Sequence, residues 1–145
     1  MSASFASQEW ADSLAMHLTD DARVRTDSVT WVFGPLMLVI DADTEHCFEA
    51  TALHIDLHEG SVGGVRLAVP ADAARVPFAF GGSLARWRSV FAGDLSLVDG
   101  VTQAKLRVRG DLPTLERHRD LLGAIAAAGG QIETLWQDEV EPATA

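Results

Sequence analysis

The chain has 145 residues, the usual size of one domain, and its 48% hydrophobic and 22% charged residues are typical of a soluble globular protein. The formal net charge of −10 argues against nucleic acid as a partner, because the phosphate backbone is bound by positive charge. The longest apolar run, Leu36 to Ile40, is far shorter than the ~20 residues that cross a bilayer, so no transmembrane segment is predicted.

The beginning of the chain and its cysteine content suggest a compartment. The first ten residues lack the basic flank and apolar core of a signal peptide, and we expect a cytoplasmic protein. The single cysteine, Cys47, excludes an internal disulfide. Because Cys47 falls within an apolar strand pattern, we expect a buried, inert thiol. We expect one domain over residues 1–140 and a flexible tail over residues 141–145.

The first half of the chain predicts one helix followed by strands. Trp10, Leu14 and Leu18 recur at helical spacing within residues 5–19, and Ser4 or Ser7 can cap the start of that helix. Strand patterns follow over residues 29–33, 36–40, 47–57, 65–69 and 76–80. Short turns separate these patterns, including a glycine-rich turn over residues 60–64. An antiparallel sheet is therefore predicted.

The second half of the chain alternates helices with one strand. A helix begins after Ser83 and ends at Gly93, and residues 94–102 are predicted to form a loop. Apolar and cationic residues alternate over residues 103–109, which indicates a strand with one buried face. A second helix begins after Asp111 and ends at Gly129-Gly130, and residues 132–136 are predicted to form a further short helix.

The stretch from residue 81 to residue 130 contains several motifs at defined spacing: Gly82-Ser83, Trp87, Gly93, Lys105-Leu106-Arg107-Val108 and Gly110-Asp111. With these residues the stretch resembles the sterol carrier protein type 2 (SCP-2-like) domain family. The resemblance covers about 50 residues, a third of the chain, and its strand-to-helix part is matched without a gap. The chain departs from the family at Ser96-Leu97, where members often have Asp-Pro, and at Ala104, where they have glycine. The 94–102 loop, which lies near the tunnel mouth in the family, is therefore expected to follow a different path.

The resemblance implies an α+β fold: a five-stranded, mainly antiparallel sheet is covered by helices, with an apolar cavity between the layers. In the family that cavity takes fatty acyl chains, acyl-CoA or sterols. The residues predicted to line it here are Phe78, Phe80, Trp87, Phe91, Leu106, Val108, Leu122 and Ile125. The alternative is that these side chains pack together as a filled core.

Three functions stay open. The first is binding, and by extension transfer, of a hydrophobic ligand, with no catalytic residue, cofactor or metal. The second is an interaction domain with a filled core, working as a homodimer or beside an acyl-processing enzyme. The third is a metal-assisted hydrolase using His54, Asp56 and His58, which alternate along one strand face. Because the other face of that strand is apolar, we expect this trio to belong to a polar outer face instead.

Overall fold

A five-stranded mixed sheet with helices on one side organises the chain. The structure is a computed structural model, and it describes residues 3–136. The strands are β1 (Ala3–Ser4), β2 (Leu36–Ile40), β3 (Thr51–His58), β4 (Ser61–Leu67), β5 (Phe78–Gly82), β6 (Arg107–Arg109) and β7 (Thr134–Leu135). The α-helices are α1 (Gln8–Asp20), α2 (Ala22–Asp27), α3 (Leu84–Phe91), α4 (Leu97–Thr102), α5 (Leu112–Arg117) and α6 (Arg119–Gly130). None of these helices, within residues 3–136, combines the length and apolar character needed to cross a membrane.

The main sheet has the strand order β4-β3-β2-β5-β6. The pairs β2–β3, β3–β4 and β5–β6 are antiparallel, whereas β2 and β5 run parallel. The parallel pair arises because the chain crosses from the β4 edge to the opposite side of β2 before it forms β5. The predicted α+β fold with a mainly antiparallel sheet is confirmed, and one parallel pairing makes the sheet mixed.

The alternation of side chains gives this sheet a buried face and an outer face. Leu38 of β2 lies beside Leu53 of β3 and Phe80 of β5, and all three are buried under the helices. The opposite face carries Asp56 and Arg107, which are exposed. Trp10, Trp31 and Trp87 are completely buried and are the largest of the fully buried side chains in the core.

Side-chain caps set the beginnings of the helices. Ser7 accepts a hydrogen bond from the Trp10 N–H at 3.2 Å, and Ser83 accepts one from the Arg86 N–H at 3.2 Å. Asp111 caps α5 in the same way, and Gly93 follows α3 with a φ of +86°. These caps and the glycine stop confirm the predicted starts of α1, α3 and α5 and the end of α3.

The predicted strand over residues 29–33 is wrong. The chain forms α2 and a short 3₁₀ helix at Ser28–Thr30, followed by an extended loop. Trp31 is the completely buried side chain of this loop, and its indole Nε1 donates to the Gly34 carbonyl at 2.6 Å. Val32 is exposed, and Phe33 is partly exposed and packs edge-on against Trp31 and Phe78. The apparent alternation therefore reflects packing around one buried indole rather than a sheet face.

The region around Cys47 also differs from its prediction. Cys47 is exposed and lies after a 3₁₀ turn with a φ of +54°, because β3 begins only at Thr51. The expected buried thiol is therefore wrong. The predicted glycine-rich turn over residues 60–64 is too long, since Gly63 and Gly64 belong to β4, and the register of β3 with β4 shifts between Asp56 and Leu57.

Three further differences concern the second half. The predicted loop over residues 94–102 contains α4, because Ser96 accepts a hydrogen bond from the Asp99 N–H at 3.0 Å. The predicted strand over residues 103–109 is shortened to β6, since Ala104 has a φ of +58°. The helix after Asp111 is interrupted at His118.

Residues 132–136 contain the two-residue strand β7 rather than a helix. The strand pairs in parallel with β1, with Ala3 opposite Thr134. The Phe5 N–H donates to the Leu135 carbonyl at 3.0 Å, and the Trp10 indole Nε1 donates to Thr134 Oγ1 at 2.8 Å. The pair ties the beginning of the described chain to its end. The tail predicted over residues 141–145 lies outside the described residues.

Candidate functional site

The residues predicted to line a cavity lie in the core between the sheet and the helices. Phe78, Phe80, Trp87, Phe91, Leu106, Leu122 and Ile125 are buried, and Val108 is half-buried against the same core. Phe91 also lines two grooves at the surface. The ligand-lining role of all eight residues stays a prediction.

An open apolar groove lies at the protein surface, between the α3–α4 connection and α6. We call it the first groove, and its volume is about 400 Å³. This falls within the range of roughly 300–1,000 Å³ that is usual for small-molecule sites. The groove is lined by Val90, Phe91, Ala92, Gly93, Leu95, Ser96, Gly123, Ala126, Ala127, Gly130 and Gln131.

The local sequence explains the shape of the first groove. Gly123, Ala126, Ala127 and Gly130 recur at helical spacing and place only glycines and alanines on one face of α6. A Cβ built on Gly123 would meet nothing within 4 Å. The opposite wall turns away after Gly93, whose positive φ ends α3. Space therefore remains where larger side chains would fill the contact.

A second, smaller groove of about 250 Å³ lies beside the first. Its wall includes β7 and the residues on either side of it, together with the C-terminal ends of α3 and α6. The second groove is lined by Arg88, Phe91, Ala92, Gly129, Gly130, Ile132, Thr134 and Trp136. The two grooves share Phe91, Ala92 and Gly130, so they are neighbours along the same helix contact.

Aromatic rings surround Phe91 beneath the two grooves. Its ring centroid lies 5.2 Å from Trp10 in an edge-to-face arrangement and 6.0 Å from Trp87 in a stacked one. Phe5 lies 5.8 Å away and itself stacks on Trp136 at 4.2 Å. Such ring pairs favour defined geometries over free rotation. The floor shared by the grooves is therefore a packed aromatic cluster.

The electrostatics of the two grooves differ. Every residue that lines the first groove is uncharged, whereas Arg88 lines the second. Beside the first groove, Arg119 Nη1 donates to Asp99 Oδ1 at 3.2 Å and links α4 to α6. This hydrogen bond, with a further one from Ser96, holds the pKa of Asp99 below its usual value. The first groove is suited to a neutral apolar chain.

Sequence reasoning missed the first groove. It assigned the alanine run of α6 to the end of a helix and residues 94–102 to a loop, although Gly93, Leu95 and Ser96 line the groove. The available signal was the set of glycines and alanines at helical spacing in residues 123–130. Small residues at that spacing also occur at close helix contacts, so the tertiary structure was needed to separate the two cases.

The candidate metal-binding trio lies elsewhere. Asp56 and His58 are exposed and His54 is half-buried on the outer sheet face, which confirms the predicted polar face. Within residues 3–136, the set of three such side chains whose ligand atoms all lie within 4.8 Å of one another is Asp43, Glu45 and His46 instead. The geometry does not bring the predicted hydrolase residues to one point.

Comparisons with known proteins bear on the fold. Neither a protein-family model nor a curated protein matches the chain. A crystal structure of sterol carrier protein 2 matches with a TM-score of 0.77 and 20% identity, covering 87% of this chain and 97% of that one. A conserved hypothetical protein from Thermus thermophilus matches with a TM-score of 0.78 and 18% identity, covering 93% and 94%. Palmitated SCP2L2 from Aedes aegypti matches with a TM-score of 0.50 and 18% identity, covering 77% and 92%. The chain has the sterol carrier protein 2 fold.

Proposed function

We propose that the protein binds a single-chain hydrophobic molecule of the fatty acyl class, with its apolar chain in the first groove. The observation that carries the proposal is the open apolar space beside Gly123, where α6 faces Val90 and Leu95 without filling the contact. The fold supports the proposal, since a structure of similar fold is palmitated SCP2L2.

Elementary energetics favour this occupant. Each methylene removed from water contributes ~0.8 kcal/mol, so an acyl chain binds without a charged partner. Because Gly123, Ala127 and Gly130 are exposed, the groove is open to solvent on the α6 side. A polar head group, whether a carboxylate or the thioester of acyl-CoA, can therefore stay in water while the chain is buried. We propose transfer of the bound lipid as an extension of binding.

We include the core residues that were predicted to line a cavity in this proposal, as an inner region of the binding site. Trp87 and Ile125 are buried in the core, and the Trp87 ring stacks on Phe91, which lines both grooves. A sterol would need the rigid ring system to enter that packed region, whereas a flexible chain needs only the groove. We therefore favour an acyl chain over a sterol as the ligand.

Native mass spectrometry of freshly purified protein, followed by organic extraction, tests the proposal. We expect a co-purified fatty acyl mass that is released on denaturation, and uptake of palmitate by protein stripped of lipid. A protein that purifies without such a mass and takes up no palmitate would contradict the proposal.

A matched pair of variants at Gly123 locates the ligand. Gly123→Phe fills the groove, and we expect it to weaken palmitate binding by about tenfold or more, equal to ~1.4 kcal/mol. Gly123→Ala adds one methyl group in open space and should bind as the wild type does. Equal affinities for the two variants would place the ligand elsewhere.

The second candidate function is association of two copies of this chain through the loop after α2. Val29 and Val32 are 58% and 59% exposed, and Phe33 is 36% exposed, so this loop presents an apolar patch. Sedimentation velocity at increasing protein concentration tests the idea. A dimer that is lost in Val32→Asp would support it, and a monomer throughout would reject it.

We also propose that the protein works in the cytoplasm. The free, exposed thiol of Cys47 is compatible with a reducing compartment, where cysteines stay unpaired. Fractionation of cells that express a tagged chain tests this placement.

A further inference from the structure

The position of Phe91 relates the two grooves to each other. Phe91, Ala92 and Gly130 are the residues common to both grooves. A Cβ built on Gly130 would come within 2.6 Å of the Phe91 carbonyl oxygen, so the end of α3 rests on the end of α6 at this point. A ligand that extends from one groove toward the other therefore meets Phe91.

The ring of Phe91 is held in place by its surroundings. It lies against the backbone of Gly129 on one side and against Trp10 and Trp87 on the others. Phe91 is 8% exposed, so only a small part of it reaches the grooves. Because these neighbours are a helix backbone and two buried indoles, the ring cannot turn aside without displacing core residues.

We propose that Phe91 sets the length of the apolar chain that the protein accepts, by ending the first groove before the second begins. This inference rests on the function proposed above and specifies its substrate range. The chain lies in the first groove with its terminal methyl group toward Phe91, and the Phe91 ring keeps a longer chain from the apolar side chains of Ile132 and Trp136 in the second groove.

The proposal predicts a characteristic length dependence. Up to the limit set by Phe91, each added methylene should raise the affinity about fourfold, which corresponds to ~0.8 kcal/mol. Beyond the limit the affinity should stay constant, because added methylenes remain in water. Shortening the side chain at position 91 should shift this limit to longer chains by opening the floor between the grooves.

Titration calorimetry with octanoate, decanoate, laurate, myristate, palmitate and stearate tests the proposal on the full-length protein. The variants are Phe91→Ala and Phe91→Leu. The control is Phe48→Leu, which shortens a buried aromatic residue between the 3₁₀ turn at Thr44–His46 and β3; it lines neither groove and is not among the predicted lining residues. Near-ultraviolet circular dichroism establishes that each variant is folded. If Phe91→Ala does not fold, the milder Phe91→Leu decides the question.

The expected result is a plateau for the wild type that moves to longer chains in the Phe91 variants and stays in place in Phe48→Leu. A plateau unmoved in the folded Phe91 variants would overturn the inference. So would a wild type whose affinity rises steadily to stearate, although acyl binding itself would then stand. A wild type that binds none of the six acids would instead contradict the proposed function and the inference with it.

Discussion

The edge of the Phe91 ring lies on the backbone of Gly129, where a Cβ would come within 2.5 Å of Phe91 Cε1. The close approach of α3 and α6 at this point depends on the missing side chain. One turn and a half earlier on α6, Gly123 has no neighbour within 4 Å of the same built atom. The two glycines therefore have different roles in one helix.

Replacing these glycines by alanine should change stability in opposite directions. Gly129→Ala forces the Phe91 ring from its place, and we expect a loss of about 1–3 kcal/mol in the free energy of unfolding. Gly123→Ala should raise it by up to about 1 kcal/mol, because alanine favours the helix and the added methyl group has room. Urea unfolding measures both. Equal effects from the two substitutions would show that Phe91 does not pack on Gly129.

The pair formed by Arg66 and Asp72 should make stability depend on pH. Arg66 donates to both carboxylate oxygens of Asp72, at 2.8 and 2.9 Å, and the Val69 N–H donates at 2.8 Å. Chiefly through Arg66, these bonds hold the pKa of Asp72 well below its usual range. Since this pKa is lower in the folded protein, the contribution is complete above the unfolded value of about 3.9 and is lost as the pH falls toward the folded value.

The variant Asp72→Asn isolates this contribution. We expect it to lower the urea midpoint at pH 7, and its difference from the wild type to shrink progressively in acid below the unfolded Asp pKa of about 4. Asp41→Asn is the matched control, because Arg107 binds Asp41 in the same two-pronged way and lowers its pKa, but at a more exposed position. Exposed ion pairs contribute little, so its effect should be smaller. An Asp72→Asn difference that does not change with pH would refute the linkage.

The hydrogen bond between Trp10 and Thr134 should stabilise the pairing of β1 with β7. Trp10 is completely buried, and Thr134 Oγ1 is the acceptor of its indole N–H at 2.8 Å. Thr134→Val keeps the shape and removes the acceptor, and we expect a loss of about 1–3 kcal/mol in the free energy of unfolding. Thr102→Val, at an exposed position of α4, should have little effect. Thermal unfolding followed by tryptophan fluorescence compares them, and equal losses would argue against the bond.

The thiol of Cys47 should react in the folded protein. It is exposed at the end of a 3₁₀ turn, so we expect Ellman's reagent to modify it at a rate similar to that in urea. The mutant Cys47→Ser is the blank for the assay. A thiol that reacts only after unfolding would contradict the exposed position and support the buried position that the sequence predicted.

Much of the fold follows from local rules that act within the sequence. The caps at Ser7, Ser83 and Asp111 and the stop at Gly93 were predicted because each depends on neighbouring residues alone. The strand Leu36–Ile40 was predicted in the same way, from an apolar run of strand length.

Two of the errors occur where a distant contact decides the conformation. In the loop that holds Trp31, apolar and other residues alternate as they would in a strand. The alternation comes from one buried indole, and the loop pairs with no strand. Residues 134–135 form a strand only because Ala3 and Ser4 lie beside them, more than a hundred residues away in the chain. Neither relationship is present in the local pattern.

By itself, the sequence determined the amphipathic segments, their caps, the polar outer face of β3 and the resemblance that predicted the α+β fold. Only the tertiary structure decided that Gly123 faces open space while Gly129 faces Phe91. The physical reason is that a groove is a property of two surfaces: the same small residues allow close packing where a partner is present and leave a space where it is absent.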